Sequence, residues 1–574
     1  MPRALVQLLL VAGAVATAAL VVVYHTLPPA ATALAGTLPP TIVLGGYHIH
    51  SVRSDGTGTV DEIARAAHDA GLAFIILTDH GDGTATPLPP AYRSGVLCID
   101  AVEVSTNGGH VVALGLNDAS RYPMGGEPVD VIEDIHRRGG MAVVAHPDSP
   151  KPELQWRAWD TPYDGVEWLN ADSEWRDQSN GHLAVVAARL LLRPPETIAS
   201  LFRRPTPTLR RWDGTLRRRP VVGLAGLDAH ANLAGWPRYV DMFKTLAQAA
   251  VLQEPLTGHA AEDAAAIVSA LRAGHTYSIV RAFASPAALE FTAENGGAVV
   301  HMGDWAAADG TLTWRARVPE APGARVVVIG EGREIARGRG SVTYSGPAVS
   351  GAYRVEVTYP PFSMPWIVSN PIYVGTPADE GPVDPPPAPA TDALDVLGSS
   401  AWRVERDAAS TGQLDRDGGA LRFHYALGPG RPASPYAAAV VPVDGTSGFD
   451  RVQLTARSDH PMRISVQVRL SGAGGGQRWR RSAYVDEQVR TIVMPLSAFV
   501  AADRPTSQQP IVSVVRELLV VVDTVNTSPG ARGTIWITAA GLGHAQADSM
   551  ASGRDTPGVL WLPERGARPA RRDE

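Results

Sequence analysis

The chain of 574 residues is 45% hydrophobic and 19% charged, with a formal net charge of −7 and a single cysteine, Cys98. That length calls for three or four domains with real cores, and the mild negative charge argues against nucleic acid as a structural partner. One cysteine excludes an intrachain disulfide and a thiolate zinc site. Its setting in the apolar run VLCIDAVEV marks a small core residue rather than a nucleophile.

Ala4 to Tyr24 is apolar except for Gln7 and Thr17, and a helix of that length rises about 31 Å, enough to cross a bilayer core. Residues 1–24 are therefore expected to be a transmembrane signal anchor that makes the membrane a partner. Arg3 precedes the segment and no charged residue lies between Tyr24 and Arg53, which favours an exported body, periplasmic or extracellular. The competing reading is a cleaved signal peptide and a secreted protein, since Ala33-Leu34-Ala35 has the small-x-small form of a cleavage site. Residues 25–40, rich in Pro, Ala and Thr, read as a tether.

Residues 41–285 alternate short apolar runs with helical patterns, as a parallel α/β architecture does. Thr59 and Glu62 form a capping box, Val60, Ile63, Ala64 and Ala67 share a helical face, and Gly71 is a natural stop. The run LAFIIL reads as a strand buried on both faces. Further strands are predicted at Val96 to Ser105, His110 to Gly115, Met141 to Ala145, Gly165 to Leu169 and Val221 to Leu227. Helices are predicted at Val129 to Arg138 and Glu262 to Ala273. Arg203 to Pro220, with seven arginines and one aspartate, reads as a solvated loop, or else as a site for anions. Residues 286–375 switch to strand alternation and suggest a small β-sandwich, and 376–391 a Pro-rich linker. Residues 392–545 suggest a jelly-roll β-sandwich, and 546–574 a disordered tail.

Polar residues recur where the strands end. His48 and His50 stand two apart on a strand, so their imidazoles can aim at one point. Thr78-Asp79-His80, Glu103, His110, His146, Asp228 and His230 follow at or near other strand ends. In a barrel of alternating strands and helices such ends converge on one face. Each piece alone has a bland reading: a structural His-x-His, a loop-capping Asp79, a strand-terminal His146. Together they amount to six histidines and three carboxylates that would be prohibitive to bury without compensation, and divalent cations compensate such sets.

His48-x-His50-Ser51, Ser54-Asp55-Gly56, Thr78-Asp79-His80, Glu103, Gly109-His110, Ala145-His146-Pro147 and Asp228-x-His230 resemble the successive motifs of the PHP (polymerase and histidinol phosphatase) metallohydrolase superfamily. The stretches Ala270 to Tyr277, Met302-Gly303-Asp304 and Ser369 to Gly375 extend the resemblance to its CehA/McbA-like branch. Over roughly residues 42–375 it implies a distorted (β/α)7 barrel followed by a β domain, so that with the readings above the fold is α/β, the barrel followed by two β-sandwich domains, with an N-terminal transmembrane helix. It also implies two or three divalent metals, Mn, Fe or Zn. His48, His50, Glu103 and Asp228 would hold the first, Glu103, His110 and His146 the second, and Asp55, His80 and His230 the third. Gly81 stands where the family commonly has Asn, and Glu167 and Asn170 match a family segment with an orienting role. The implied activity is ester hydrolysis by a bridging hydroxide on a small-molecule substrate, phosphoesters first, carboxyl or carbamate esters as the alternative. Asp55, His80 or His230 would relay a proton if the third metal is absent, and Arg53 is either a clamp for an anionic group or a surface arginine. A non-enzymatic alternative is an envelope-anchored glycan-binding protein using the C-terminal jelly roll, with Trp402, Tyr436, Trp479 and Tyr484 as glycan contacts or core aromatics.

Overall fold

The computed structural model describes residues 21–376 except 233 and 234, and 390–545 except 431–433, 444–448, 472–475, 503–509 and 511–514, with positions 7, 10, 12–14, 17, 387 and 389 besides. The chain divides into two compact units, Met1–Ala119 with Glu127–Ala378, and Ser120–Gly126 with Asp379–Glu574.

The first unit contains the strands β1 (Ile42–Ile49), β2 (Phe74–Leu77), β3 (Ala91–Arg93), β4 (Val96–Asp100), β5 (Val102–Thr106), β6 (Gly109–Leu114), β7 (Met141–Val144), β8 (Gly165–Asn170), β9 (Val222–Gly226), β10 (Ala247–Val251) and β11 (Thr276–Ile279). Several are short apolar runs buried along their length, FIIL of β2 and MAVV of β7 among them, as suits strands covered on both faces. The helix Val60–Asp69 begins at a complete capping box and buries Ile63, Ala64 and Ala67.

The expected distorted (β/α)7 barrel is corrected by this topology. β5 to β9 form a five-stranded sheet in chain order, while β3, β4, β2, β1, β10 and β11 are successive strands of a separate twelve-stranded sheet. Parallel pairs join β1 to β2, β2 to β4, β7 to β8 and β8 to β9, but β1 with β10, β10 with β11, β5 with β6 and β6 with β7 run antiparallel. Connection length is one reason. Only Asn107 and Gly108 separate β5 from β6, room for a hairpin and not for a parallel crossover. The predicted strand Val96 to Ser105 breaks at Ala101, and its halves, β4 and β5, enter different sheets.

The two sheets meet at single bridges, Ile49 with Ala229 and His80 with Glu103. Side-chain amides complete the seam. Asn370 accepts from Gly223 N–H at 2.7 Å and donates to its carbonyl at 3.0 Å, and Gln248 accepts from Ala225 N–H at 3.2 Å. The boundary expected at 285/286 does not divide sheets, because Ile367–Ser369 pairs with β11 and Gly351–Thr358 continues the twelve-stranded sheet. A four-stranded sheet of Ala298–His301, Glu290–Asn295, Thr311–Arg317 and Ser341–Pro347 belongs to the same unit.

The transmembrane anchor is also corrected. No described helix is long and apolar enough to cross a membrane, which takes about 20 consecutive residues; of residues 1–20 only 7, 10, 12–14 and 17 are among the described residues. The segment read as a tether is held by the body: Thr32 N–H donates to the Phe283 carbonyl at 3.0 Å, Ser285 N–H to the Thr32 carbonyl at 2.9 Å, and Arg193 to the Pro28 carbonyl at 2.8 Å. The Arg-rich stretch is not a loop but contains the helix Thr206–Leu216, which buries Leu209 and Trp212.

In the second unit, two six-stranded sheets face one another as a sandwich. Phe423, Leu454 and Ile535 from one sheet pack in a common core with Val466, Leu518 and Val520 from the other. The tail 546–574 and the linker 376–391, apart from 376, 387 and 389–391, lie outside the described residues.

Candidate metal centre

The nine residues singled out from the sequence gather at the seam between the two sheets of the first unit. His48 reaches it through a β-bulge: Tyr47 pairs with Ile76 and Ile49 with Leu77, leaving His48 as the extra residue. Strand alternation, which by itself puts His48 and His50 on one face, is interrupted at that point, and a bulge re-aims the side chain. His48, His146 and Asp228 have φ of 66°, 31° and 50°, a left-handed region that favours glycine and costs other residues about 1–3 kcal/mol. Three of the nine are thus held in strained backbone at one place.

His48 Nε2 lies 3.1 Å from His50 Nε2, and each of these nitrogens lies 3.2–3.3 Å from Glu103 Oε2 and from Asp228 Oδ1. Ligand-type atoms of His48, His50 and Asp228 all lie within 4.8 Å of one another, close enough to share one ion. Glu103 turns its other oxygen, Oε1, to His110 Nδ1 at 2.9 Å and His146 Nε2 at 2.8 Å. Ligand-type atoms of Asp55, His80, His230 and His50 all lie within 4.8 Å of one another. His50 joins this third group as well as the first, which the sequence does not indicate, and His80 also stands 3.3 Å from Glu103 Oε2.

Hydrogen bonds behind the rings orient them. Glu167 Oε1 meets His48 Nδ1 at 2.5 Å, the Leu154 carbonyl meets His146 Nδ1 at 3.1 Å, and the Asp228 carbonyl meets His230 Nδ1 at 2.8 Å. Each partner is an acceptor, so Nδ1 carries the proton and the Nε2 lone pair faces inward, the arrangement common in metal-bound histidines. Glu167 also accepts from His146 N–H at 2.7 Å and Asn170 Nδ2 at 2.8 Å. A Cβ on Gly226 would stand 2.5 Å from the Glu167 carboxylate, so only glycine leaves room there.

The electrostatics fit a cation. Burial opposes charge on His48, yet Glu167, Asp228 and Glu103 raise its pKa well above the usual histidine value. Burial likewise opposes charge on His50, but Asp228 and Glu103 raise it to about 9. Asp55, despite partial burial, is lowered to about 2 by His230, His50 and His80. Glu103 and Asp228, although buried, are held well below the carboxylate range by the histidines around them. His80 goes the other way, lowered chiefly by burial. Protons thus take, between inward lone pairs and carboxylates, the place a divalent ion would fill, and the nitrogen-and-oxygen donor set fits Mn, Fe or Zn.

Arg53 is not free to clamp a substrate, being paired with Asp79 at 2.7 Å and Asp100 at 2.5 Å. Asp79 does more than cap a loop: it accepts from Ser51 N–H at 2.7 Å, Ser51 Oγ at 2.8 Å and Ser54 Oγ at 2.7 Å, fixing the turn that presents Asp55. Sequence reasoning missed Tyr239, whose hydroxyl lies 2.8 Å from the His50 carbonyl, 3.0 Å from the His230 carbonyl and 3.2 Å from Thr57 and Gly58 N–H. It knits the loops after β1 and β9, and nothing in PRYVD signals that. A cleft of about 150 Å³ opens beside His80, lined by Gly81, Thr86, Pro87, Val102 and Leu116 among others.

In the second unit Trp479 is core, and Trp402 packs against that core with its indole N–H on the Val396 carbonyl. Tyr436 and Tyr484 are half-buried.

No protein-family model matches the chain. Over 112 residues it is 33% identical to uncharacterized protein MJ1587 of Methanocaldococcus jannaschii, covering 19% of this chain and 64% of that protein, so it spans less than two thirds of that relative. Among solved structures it is similar to the family 11 carbohydrate-binding module of the cellulosomal cellulase Lic26A-Cel5E of Clostridium thermocellum, at 15% identity over 28% of this chain and 97% of that one, with a TM-score of 0.23. It is also similar to the agarase AgWH50C, at 10% identity over 27% and 25% of the two chains, with a TM-score of 0.21. Likenesses at such TM-scores say nothing about function.

Proposed function

We propose that the first unit is a metal-dependent hydrolase of ester bonds, phosphoesters first. The observation that supports it is the buried set of His48, His50, Glu103 and Asp228, whose donor atoms lie 3.1–3.3 Å apart in the five separations His48–His50, His48–Glu103, His48–Asp228, His50–Glu103 and His50–Asp228. These four would hold one ion, Glu103, His110 and His146 a second, and Asp55, His80 and His230 a third, the sets that the resemblance to the PHP superfamily implies. Bound divalent ions supply Lewis-acid polarisation of the ester and a water acidic enough to attack at neutral pH.

The chain's own residues position and exchange protons. Glu167 and the Leu154 carbonyl keep His48 and His146 in the tautomer with Nε2 facing inward. Asp55, ionised down to about pH 2, holds His230 Nε2 at 3.2 Å. His80, whose pKa burial lowers, stands with Nε2 3.7 Å from Asp55, and with the third set unfilled it is the group placed to pass a proton. Carboxyl or carbamate esters are the alternative substrates, since the chemistry that bound ions would supply suits a carbonyl carbon as well as phosphorus.

The test compares p-nitrophenyl phosphate, bis-p-nitrophenyl phosphate, p-nitrophenyl acetate and 1-naphthyl methylcarbamate on the purified full chain, with bound metal measured by elemental analysis. Less than one metal per chain after metal loading sinks the proposal, as does full activity in His48→Ala and His146→Ala. Turnover of the acetate or carbamate alone reverses the order of substrates.

For the second unit, a glycan partner is a separate proposal supported by Trp536. It alternates with the core residues Ile535 and Ile537, so it faces outward, between Arg422 and Arg457 in register. Unchanged retardation of Trp536→Ala in affinity gels of soluble β-glucans would remove it.

A further inference from the structure

Resting on the reading of the cluster as an ester-hydrolysing centre, we infer that Arg176 is the clamp for a negatively charged oxygen on the reacting group of the substrate, which selects phosphoesters over neutral esters. The strand register places it. β8 runs parallel to β9 with Asn170 opposite Gly226, so Asp172 and Asp228, each two residues further on, leave the same end of neighbouring strands. The helix Ala171–Arg176 starts there, with Asn170 accepting from Ser173 N–H at 2.9 Å while its amide donates to Glu167 at 2.8 Å. Its first turn is therefore locked to the carboxylate that holds His48. Arg176 stands four residues after Asp172, on the same helical face, and its Nε is paired with Asp172 Oδ2.

That pairing pins the guanidinium and leaves its terminal nitrogens without a partner among the described residues. Two such N–H groups in a fixed fork match a phosphoryl or carboxylate edge. Although burial opposes its charge, the Arg176 guanidinium is held charged by Asp172 first and then by Asp228 and Asp55, while burial and the like charge of Asp228 push the Asp172 carboxyl up. The cluster has an open side, since Asp55 is 52% and His80 34% exposed, whereas His48, His50 and Glu103 are 0–1% exposed. Arg53 is committed to Asp79 and Asp100, and Arg203 to Asp177.

The test titrates inorganic phosphate into the manganese-loaded full chain by calorimetry. Arg176→Met should weaken phosphate binding about 10- to 100-fold, the loss of charge-assisted hydrogen bonds to an anion, and Arg176→Lys should fall between it and the parent because it keeps the charge and loses the fork. Arg203→Met should bind phosphate as the parent does. The inference is overturned if Arg176→Met and Arg176→Lys bind phosphate within twofold of the parent, or if the parent, with metal bound, does not bind phosphate at all. Elemental analysis of the same samples separates the failures: a parent that holds no metal removes the hydrolase reading, while a metal-loaded parent whose phosphate affinity ignores Arg176 removes only the clamp.

Discussion

Glu167 is buried and touches three groups of the centre: the His48 ring, the His146 backbone and the Asn170 amide. Glu167→Gln keeps an acceptor for His48 but removes the charge that makes its Nε2 a strong donor. Metal affinity measured against a chelating dye is expected to fall about 10- to 100-fold; an unchanged affinity would reduce Glu167 to packing. Glu174 makes a different kind of prediction. Burial pushes its pKa up to about 7, against 4.5 for an ordinary glutamate. Its folded-state pKa is raised, so its contribution to stability is complete below about pH 4.5 and is lost as pH rises through 7. Glu174→Gln, which keeps an acceptor for Arg203 N–H, should therefore match the parent at pH 4.5 and exceed it by about 2 kcal/mol at pH 8 in urea unfolding. Equal stability at both pH values would show that the carboxyl is solvated when ionised.

At the scale of elements, β9 is the edge of its five-stranded sheet, and it carries Asp228 and His230 just beyond its end. Its free edge is served by side chains from the other sheet's strands and loops. Asn370 spends its oxygen on Gly223 N–H and its amide on the Gly223 and Thr276 carbonyls. Asn370→Ala would leave these buried groups unpaired, a loss of about 3 kcal/mol by denaturant midpoint, and it should weaken metal binding because β9 loses its anchor. Stability lost with metal affinity intact would mean that the loop holding Asp228 is fixed by its backbone bonds to Tyr47, His48 and His50 and by the Tyr239 hydroxyl. The helix Thr206–Leu216 is a comparable fastening, since Arg354, buried beneath it, pairs with Asp213 and Glu356. The arginines there that read as solvated charge include Arg204, which completes the same network through Glu356.

On the scale of the whole molecule, each unit has its own apolar core, so calorimetry of the full chain should show two unfolding transitions. A chelator should lower only one of them, because a metal that binds the native state alone stabilises only the unit that holds it. In the metal-free chain that transition should also depend on pH. With His50 raised from 6.5 to about 9, its contribution is whole below pH 6.5 and is lost as pH rises through about 9. The first unit without metal should therefore melt lower at pH 9.5 than at pH 6.5, and manganese should reverse the loss by taking the place of the proton. Two transitions that both respond to the chelator, or neither, would contradict this division.

The sequence by itself singled out the nine residues that the fold gathers at one place, because six histidines and three carboxylates at the ends of apolar runs are legible from composition and order. It also determined the capped helix at Thr59, the buried strand after it and the second unit's strand alternation, all of which follow from local periodicity. Tertiary structure alone decided how those runs pair. Sheet partners depend on contacts between distant residues, so the antiparallel pairing of β1 with β10 and of β6 with β7, the split into two sheets and the continuity across residue 285 left no local trace. The left-handed backbone of His48, His146 and Asp228, the Tyr239 hydroxyl and the fork of Arg176 are likewise consequences of packing. Histidine and aspartate look the same in a sequence whether or not the chain around them is bent to bring them to one point.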